Sequence, residues 1–504
     1  MNTTSITILV LVIFTLPTQS ISLSTNGSSS NIGCIESEKQ ALLLFKQHLF
    51  DPTNRLVSWV EHEDCCRRWV GVVCHDVSGH VLELHLQNPP MDDANSFAEQ
   101  KAYLRSRLGG KINHSLLNLT HLSYLDLSKN DFGGIPIPHF FGSMVSLRYL
   151  DLSDAGFGGL IPHQLGNLSN MDYLNLEDGY YVENPLYVEN LGWLAGMSQL
   201  KYLDMSNVNL SKALDWLQTV NMLPSLKELH LRRCQLPLAV STLLNPNLSS
   251  LAVLNLRGNQ LDNTSPMIMS WVFSLKTLVS LDLSDNHFQG PIPDGLQNLI
   301  SLRHLDLSAN QFNSSIPDWF YGFSPLEFLN LHNNNLQGKI SSAIGNMTSA
   351  ISLVFSGNTE LGGGGIPKEL GNLCNLRSLS LSSVKLSQNI SDILQMLSLG
   401  CISHGLEYLD LSFSNLFGQL TDHLGYFKNL RQLYLSQNSI VGSIPESLGE
   451  LPMLRVIDVS YNNLTGSNLP ETHSANLTNL RSLRDIGNAF IVKVHSCWIP
   501  LIGN

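Results

Sequence analysis

The sequence predicts an α/β fold in the form of a right-handed solenoid, and two repetitions and one bulk property support this. The segment LVSLDLSDNHFQGPIP, which begins at Leu278, is nearly repeated from Leu302 as LRHLDLSANQFNSSIP. The pattern L-x-x-L-x-L-x-x-N recurs at intervals of 24 to 30 residues, most often 24. Hydrophobic residues make up 43% of the chain, which is ample for a long core. Such a period indicates stacked units that bury their apolar faces against one another.

The repeated pattern has the period and residue order of a leucine-rich repeat. Each unit predicts a short strand, in which alternate side chains point to opposite faces. In one such unit, Leu281 and Leu283 are expected to point inward. The residues between and after them are expected to face outward, namely Ser280, Asp282 and Ser284. Fourteen units begin at Leu122, Leu147, Met171, Leu200, Leu226, Leu251, Leu278, Leu302, Leu326, Ala350, Leu376, Leu406, Leu430 and Leu454.

The ninth position of the pattern predicts a structural asparagine that points inward. Beyond the strand the chain turns into the interior, where backbone N–H and C=O groups need partners, and an amide supplies both a donor and an acceptor. Cys234 takes this place in one unit and is expected to be buried and inert, because a reactive thiol needs an electropositive, exposed setting. Asparagine fills it at Asn130, Asn259, Asn286, Asn310, Asn334, Asn358, Asn438 and Asn462.

The segments outside the repeats suggest a secreted chain. Residues 6–16 are an apolar run too short to span a bilayer and precede small and polar residues, so residues 1–24 are predicted to be a signal peptide. Residues 34–78 form a predicted N-terminal cap, 79–121 a degenerate first repeat with an insertion, and 122–479 the fourteen repeats. Residues 480–504 form a partial repeat at which the chain is truncated. No other apolar run reaches the length of a membrane helix.

Cysteines and glycosylation sequons fit the secretory pathway. The spacing of the first four cysteines does not suit zinc, so disulfides are expected there, although four cysteines allow three pairings. Cys374 and Cys401 lie in adjacent units and could join them. Outside the signal peptide, N-x-S/T occurs at Asn26, Asn113, Asn118, Asn167, Asn209, Asn247, Asn263, Asn313, Asn346, Asn389, Asn463 and Asn476, and we expect glycosylation.

No motif predicts catalysis or a bound cofactor. The sequence contains no HExxH or GxSxG, and its histidines show no metal-ligand spacing. The glycine-rich run at residues 361–367 lacks a following GK[ST], which favours a turn over a phosphate loop. The aspartates of the LDLS segments recur too regularly to be a catalytic pair. A net charge of −12 without a basic stripe argues against nucleic-acid binding. We therefore predict a protein that is not an enzyme and needs no cofactor or metal.

The outward strand positions are the expected binding face of a solenoid. Tyrosine occupies the same column in four successive units, and tyrosine and arginine are favoured binding anchors. The alternative is that aromatic side chains simply suit strands and their neighbours. The candidate ligand-binding residues on this concave strand face are Tyr124, Tyr149, Tyr173, Tyr202, His230, Arg232, Arg257, His304, Phe328 and His332.

The segment ESEKQALLLFKQHLFDPTNRLVSWVEHEDCCRRWVGVVCHDVSGHVLELHL and the LxGxIPxxLGNLxxL phrases resemble the cap and repeats of plant extracellular leucine-rich-repeat proteins. The phrases GNLCNLRSLSLS and FIVKVHSCWIP are similar to those of receptor-like proteins related to the fungal xylanase receptors of tomato. The resemblance implies the pairs Cys34–Cys65 and Cys66–Cys74. Those proteins continue past the WIP phrase into further repeats and a membrane helix, so we expect this chain to correspond to the N-terminal portion.

The resemblance implies non-catalytic recognition outside the cell, in a receptor-like protein of plant defence signalling. The implied ligand is a protein, peptide or glycan on the concave strand face, and co-receptor and adaptor kinases are partners in the full-length family. The chain as given would be extracellular or apoplastic, and a full-length member would lie on the outer face of the plasma membrane. The alternatives are a secreted inhibitor of microbial cell-wall hydrolases, similar to polygalacturonase inhibitors, and a truncated decoy or pseudogene product.

Overall fold

The computed structural model of the chain describes residues 33–90, 97–179, 184–238, 248–263, 266–465 and 479–489. The predicted signal peptide and the sequons at Asn26, Asn247 and Asn476 lie outside these ranges. The described residues form a stack of coils, each of which contributes one strand to a shared sheet. This arrangement confirms the predicted α/β solenoid.

The main sheet passes through every described coil. Its strands pair in sequence order and in parallel, except for an antiparallel first pair in the cap. They are Val72–Cys74, Val81–His85, Tyr124–Asp126, Tyr149–Asp151, Tyr173–Asn175, Tyr202–Asp204, Glu228–His230, Val253–Asn255, Ser280–Asp282, His304–Asp306, Phe328–Asn330, Ser352–Val354, Ser378–Ser380, Tyr408–Asp410, Gln432–Tyr434, Val456–Asp458 and Ser482–Arg484.

Short helices link successive strands of the main sheet, and most are 3-10 helices of one or two turns. Proline precedes many of them, as Pro293 and Pro317 do, and it fixes an extended entry to the helix. The 3-10 helices are His114–Asn118, His139–Ser143, His163–Asn167, Gly192–Gly196, Asp294–Asn298, Asp318–Gly322, Ser342–Asn346, Lys368–Asn372, Cys401–His404, Asp422–Tyr426 and Glu446–Glu450. The α-helices are Glu36–Gln47, Cys65–Arg68, Phe97–Arg105, Trp216–Val220, Pro266–Ser274 and Ile390–Ser398.

Small sheets form where each coil leaves the end of its main strand. The glycine of the LxGxIP phrase has a left-handed backbone there, with φ of 76° at Gly290 and 80° at Gly442, which explains the residue choice. Parallel pairs are Gly159–Leu160 with Leu186–Tyr187, Gln289–Gly290 with Gln311–Phe312, and Gln337–Gly338 with Glu360–Leu361. Phe417–Gln419, Ser439–Gly442 and Asn463–Leu464 form a three-stranded sheet, and Leu49–Phe50 pairs antiparallel with Gly109–Gly110.

The core is a continuous column of leucines between the main sheet and the helices. Leu281 and Leu283 are 0% and 1% exposed, as the strand pattern predicts. The prediction that Ser284 faces outward is wrong, since this residue is only 1% exposed. Its N–H and hydroxyl both donate to Asp282 Oδ1, at 2.9 and 2.6 Å. The chain therefore starts to turn inward two residues after the aspartate.

The ninth-position asparagines form a buried ladder that joins each coil to its neighbour. Asn310 Nδ2 donates to the Leu307 carbonyl in its own coil at 3.1 Å and to the Leu283 carbonyl in the preceding coil at 3.0 Å. Its Oδ1 accepts from Phe288 N–H at 3.1 Å. The same arrangement recurs at the other predicted positions, for example at Asn462. The predicted role of these asparagines is confirmed.

Six of the fourteen units carry another residue at the asparagine position, namely Ala155, Gly179, Val208, Cys234, Val384 and Ser414. Cys234 is buried without a disulfide partner, and its backbone N–H donates to Asn259 Oδ1 at 2.9 Å. Burial raises the pKa of the Cys234 thiol, in agreement with the predicted inert role. Ser414, which the sequence did not single out, donates its hydroxyl to the Leu381 carbonyl at 2.9 Å. A hydroxyl thus replaces one of the amide bonds.

Arg55 connects the cap to the first coils. Its half-buried guanidinium donates to Asn130 Oδ1 at 3.0 Å, to Asn88 Oδ1 at 3.3 Å and to the Leu86 carbonyl at 3.1 Å. Burial lowers the pKa of Arg55, although Asp51 opposes this effect. Together with the buried Asn88 of the preceding coil, the arginine therefore closes the N-terminal end of the asparagine ladder.

We expect Asn310→Ala to lower the free energy of unfolding by roughly 1–3 kcal/mol, because it leaves buried carbonyl and N–H groups without partners. Asn335→Ala is the matched control, since Asn335 is exposed and its side chain has no hydrogen bond within the described residues. Urea unfolding of both variants measures the difference. Equal stability of the two variants would contradict a structural role for the ladder.

Candidate ligand-binding face

The side chains that point outward from the main sheet form what we call the strand face. Its most regular feature is the tyrosine row, which comprises Tyr124, Tyr149, Tyr173 and Tyr202. The rings stack nearly parallel, with successive centroids 4.0, 4.2 and 4.2 Å apart. His85 extends the row at one end, 4.4 Å from the first tyrosine ring. The parallel register of the strands places these rings side by side.

The tyrosine hydroxyls contact aspartates in the adjacent column. Tyr149 and Tyr173 both donate to Asp151 Oδ2 at 3.4 Å, and Tyr202 donates to Asp204 Oδ2 at 3.3 Å. Burial raises the pKa of the phenols, to about 12 for Tyr124 and further for the other members of the row. Burial also raises the pKa of Asp151, although bonds from Ser153 oppose this effect. The row is therefore a rigid, partly buried layer.

The LDLS aspartates have a specific structural role. Each accepts, through Oδ1, the backbone N–H two residues later, at 2.8 to 3.0 Å. The acceptors are Asp126, Asp151, Asp204, Asp282, Asp306, Asp410 and Asp458. These bonds hold the turn that follows each strand, and asparagine does the same at Asn175, Asn255 and Asn330. Six of these carboxylates lie in an LDLS or LDMS segment, and the seventh lies in VIDVS.

A charged cluster follows the tyrosine row. Tyr202 and His230 lie 5.4 Å apart by ring centroids. Arg232 donates to Glu177 at 2.8 Å. Burial raises the pKa of the Glu177 carboxyl, and the charge of Arg232 partly opposes this effect. Arg257 is half-buried beside them, and its Nε has no hydrogen-bond partner within the described residues. This cluster can accept an anionic or hydrogen-bonding group of a ligand.

The remaining candidates form a second group farther along the face. His304 contacts Phe328 edge to face, with ring centroids 5.8 Å apart, and its Nδ1 bonds Ser280 Oγ at 3.0 Å. Burial lowers the pKa of His304. His332 is exposed and bonds Ser356 through Nδ1 at 2.9 Å. One strand, Ser280–Asp282, separates this group from the charged cluster, so the candidate residues form two groups on one surface.

The geometry favours contacts with the edges of the tyrosine rings. Each inner ring has a neighbour on both faces, so a sugar ring cannot stack on it without displacing a tyrosine. What remains accessible is the ring edge beside a column of carboxylates and amides. Sequence reasoning missed His85 and Glu177, although their places in the strand pattern could have identified them.

Three disulfides and nine of the sequon asparagines lie within the described residues. Cys34 joins Cys65 and Cys66 joins Cys74 in the cap, which is the pairing that the resemblance implies. Cys374 and Cys401 join adjacent coils, with Cα atoms 4.8 Å apart. The asparagines of six sequons are exposed: Asn118, Asn167, Asn263, Asn313, Asn346 and Asn463. Those of three others are half-buried and bonded, namely Asn113, Asn209 and Asn389.

Other features have no evident catalytic use. The glycine-rich run makes a tight turn, in which Gly365 N–H donates to the Gly362 carbonyl at 2.8 Å. Glu38, His80 and His121 approach one another in the cap, where the two histidine rings stack at 3.8 Å and His80 Nδ1 bonds Glu38 Oε1 at 2.7 Å. Within the described residues, no helix has the length and apolarity to cross a membrane.

Comparison with known proteins agrees with this architecture. Residues 35–75 match the leucine rich repeat N-terminal domain, and residues 118–135, 146–168, 249–312, 276–336 and 404–464 match leucine rich repeats. The receptor kinase HAESA ectodomain of Arabidopsis, solved with an N-terminally extended IDA peptide hormone, shares the fold. Its TM-score is 0.67 at 24% identity, over 91% of this chain and 74% of that one. The chain is therefore a leucine-rich-repeat protein.

Within that class, the chain is homologous to plant receptor-like proteins. It is 36% identical to receptor-like protein EIX1 of Solanum lycopersicum over 299 residues, which is 58% of this chain and 28% of the relative. It is 34% identical to receptor-like protein EIX2 of the same species over 405 residues, which is 80% of this chain and 33% of the relative. The chain thus spans about a third of the length of these relatives.

We expect Tyr173→Ala to lower the free energy of unfolding by about 2 kcal/mol, because it removes two stacked contacts from a half-buried ring. Tyr173→Phe keeps both contacts and loses two long hydrogen bonds, one to Asp151 at 3.4 Å and one from Asn175 at 3.5 Å, so its effect should be below about 1 kcal/mol. Thermal and urea unfolding measure both. If the alanine variant were as stable as the parent, the row would be freely exposed and the stacked arrangement wrong.

We also expect stability to fall as the pH rises above about 10, the ordinary pKa of tyrosine. Burial raises the pKa of the row in the folded state, so folded phenols keep protons that unfolded phenols release, and high pH favours unfolding. Urea titrations between about pH 9 and pH 11, together with tyrosinate absorbance, measure this. Tyr173→Phe should show a smaller fall; an identical fall would contradict the buried location of its phenol.

Proposed function

We propose that the chain is an extracellular recognition module, part of a plant receptor-like protein that senses a microbial protein or a peptide. The observation that carries the proposal is the strand face itself. It combines a rigid row of tyrosines with an adjoining cluster of arginine, histidine and glutamate. Such a preorganised surface limits the entropy that binding costs.

The relatives and the chemistry of the chain support this proposal. Receptor-like proteins are the curated relatives at 34–36% identity. In the HAESA ectodomain, which shares the fold, the ligand is a peptide hormone. Disulfides and sequons fit a location outside the cell. In a full-length protein, we propose that co-receptor and adaptor kinases carry the signal and that the module lies on the outer face of the plasma membrane.

The expected role is binding without catalysis. The described face holds tyrosines and aspartates whose hydrogen bonds support the fold, and no nucleophile there is paired with an activating base and an oxyanion site. A secreted hydrolase inhibitor similar to polygalacturonase inhibitors is the alternative, and the relatives do not favour it. The two functions differ in whether the bound enzyme stays active.

A fungal xylanase and a fungal polygalacturonase are suitable first probes, since the receptor and the inhibitor hypotheses each name such enzymes. We expect surface plasmon resonance to detect binding of the xylanase, with hydrolysis of xylan unchanged. Arg232→Ala with His332→Ala should weaken binding at least roughly tenfold, because both side chains lie on the strand face. Lys368→Ala, on an exposed 3-10 helix, is the control.

Inhibition of the polygalacturonase by the chain would support the inhibitor function instead. Equal weakening by the strand-face variant and by the Lys368 control would contradict recognition through the strand face. Thermal unfolding of each variant is measured alongside, so that a loss of folding is separated from a loss of contact.

A further inference from the structure

The junction between the cap and the first regular coil brings together two histidines and a carboxylate that the proposed function does not use. Glu38 lies in the first turn of the cap helix. His80 directly precedes the strand Val81–His85, and His121 lies shortly before the strand Tyr124–Asp126. One potential ligand atom from each of the three side chains lies within 4.8 Å of those of the other two. Three separate elements thus contribute to one cluster.

The register of the main sheet explains why the two histidines meet. Their strands pair in parallel, with Glu83 opposite Tyr124. Three residues earlier on each chain segment, the same register places His80 beside His121, and the two rings stack with centroids 3.8 Å apart. Because the two residues belong to different coils, their separation in the sequence matches no metal-ligand motif. The sequence therefore did not predict this pair.

Glu38 fixes the tautomer of His80. The Glu38 side chain is 3% exposed, and its Oε2 accepts the Val81 N–H at 2.7 Å. Its Oε1 lies 2.7 Å from His80 Nδ1, and this nitrogen carries the hydrogen because an ionised carboxylate can only accept. In the neutral ring, Nε2 then keeps its lone pair. A carboxylate in this place is the usual outer partner of a metal-binding histidine.

His121 supplies a second imidazole that is free to turn. Its side chain is exposed, its Nδ1 lies 3.1 Å from Thr120 Oγ1, and its Nε2 has no hydrogen bond within the described residues. Two imidazole nitrogens on one Zn²⁺ lie about 3.3 Å apart, since each Zn–N bond is about 2.0–2.1 Å long. The ring of His121 must leave the stack for its lone pair to meet that of His80. Because this ring is exposed, a side-chain rotation is enough and the core is not disturbed.

We propose that His80 and His121 bind a divalent transition-metal ion such as Zn²⁺, with Glu38 as the positioning residue for His80. Imidazole nitrogens suit Zn²⁺ and related ions, whereas Mg²⁺ and Ca²⁺ prefer oxygen ligands. The four cysteines of the cap form disulfides, so they supply no thiolate. Residues 1–32 contain no histidine, cysteine or charged side chain, so the segment before the cap supplies no competing ligand of these kinds. Water completes the coordination on the exposed side.

A bound ion links the cap to the first regular coil. His80 belongs to the cap side of this junction and His121 to the coil side, and the ion needs both. The folded chain holds the two rings together, whereas the unfolded chain does not. Binding therefore stabilises the folded state, and the unfolding temperature rises with the concentration of the ion.

Isothermal titration of the full chain, without a histidine tag, with zinc chloride tests the proposal. We expect one saturable site and an unfolding temperature that rises with the Zn²⁺ concentration. His121→Ala should lower the affinity at least roughly tenfold, because it removes one of two imidazole ligands, and should leave the metal-free unfolding temperature nearly unchanged. His163→Ala removes another exposed histidine, is the matched control and should bind Zn²⁺ as the parent does.

Three outcomes would overturn the proposal. They are no saturable binding of Zn²⁺ by the folded chain, equal affinity in His121→Ala and the parent, and displacement of Zn²⁺ by an equal concentration of Ca²⁺. The second outcome would place the ion on other histidines, and the third would indicate attraction by negative charge alone. Glu38→Gln should lower the affinity roughly 10- to 100-fold while both ligands remain, which tests the positioning role. Since Glu38 is buried, His121→Ala decides the proposal if the glutamine variant does not fold.

Discussion

Most coils bring their backbone from the main strand into the apolar interior with the help of the asparagine ladder. An amide at the ninth position satisfies a carbonyl in its own coil, a carbonyl in the preceding coil and an N–H, as Asn310 does. Because two of these partners belong to the neighbouring coil, the bonds that permit the turn also fix the register between coils. Arg55 supplies equivalent donors where the ladder begins.

Fixed register has a consequence for the outer surface. Residues at the same position of successive units lie side by side, so each column behaves as one continuous row. Rows of aromatic rings gain from this arrangement, as the tyrosine row does by stacking. Rows of like charge are destabilised by the same arrangement, because neighbouring charges repel one another. The desolvated pair Asp282 and Asp306 shows the cost, since burial and their mutual repulsion raise the pKa of Asp282 to about 6.

The sequence predicted the features that depend on periodicity and missed those that depend on side-chain torsion. The strands, the inward leucines and the asparagine ladder follow from spacing alone. The tyrosine column was also visible, but not that its rings would stack and its hydroxyls would bond Asp151. Ser284 was assigned to the wrong face because strand alternation ends one residue earlier than the pattern implies. The contacts of Arg55 depend on the cap fold and leave no periodic signal.

The outward-facing rows at the two ends of the main sheet differ in whether their side chains satisfy one another. In the first coils the outward groups are satisfied by one another, since ring faces are stacked and phenols bond carboxylates. A ligand there meets a firm surface and gains mainly from shape and ring edges. In the last coils, Arg455 and Arg481 are adjacent and lack acidic partners within the described part of the chain. The two ends of the sheet therefore present chemically different surfaces.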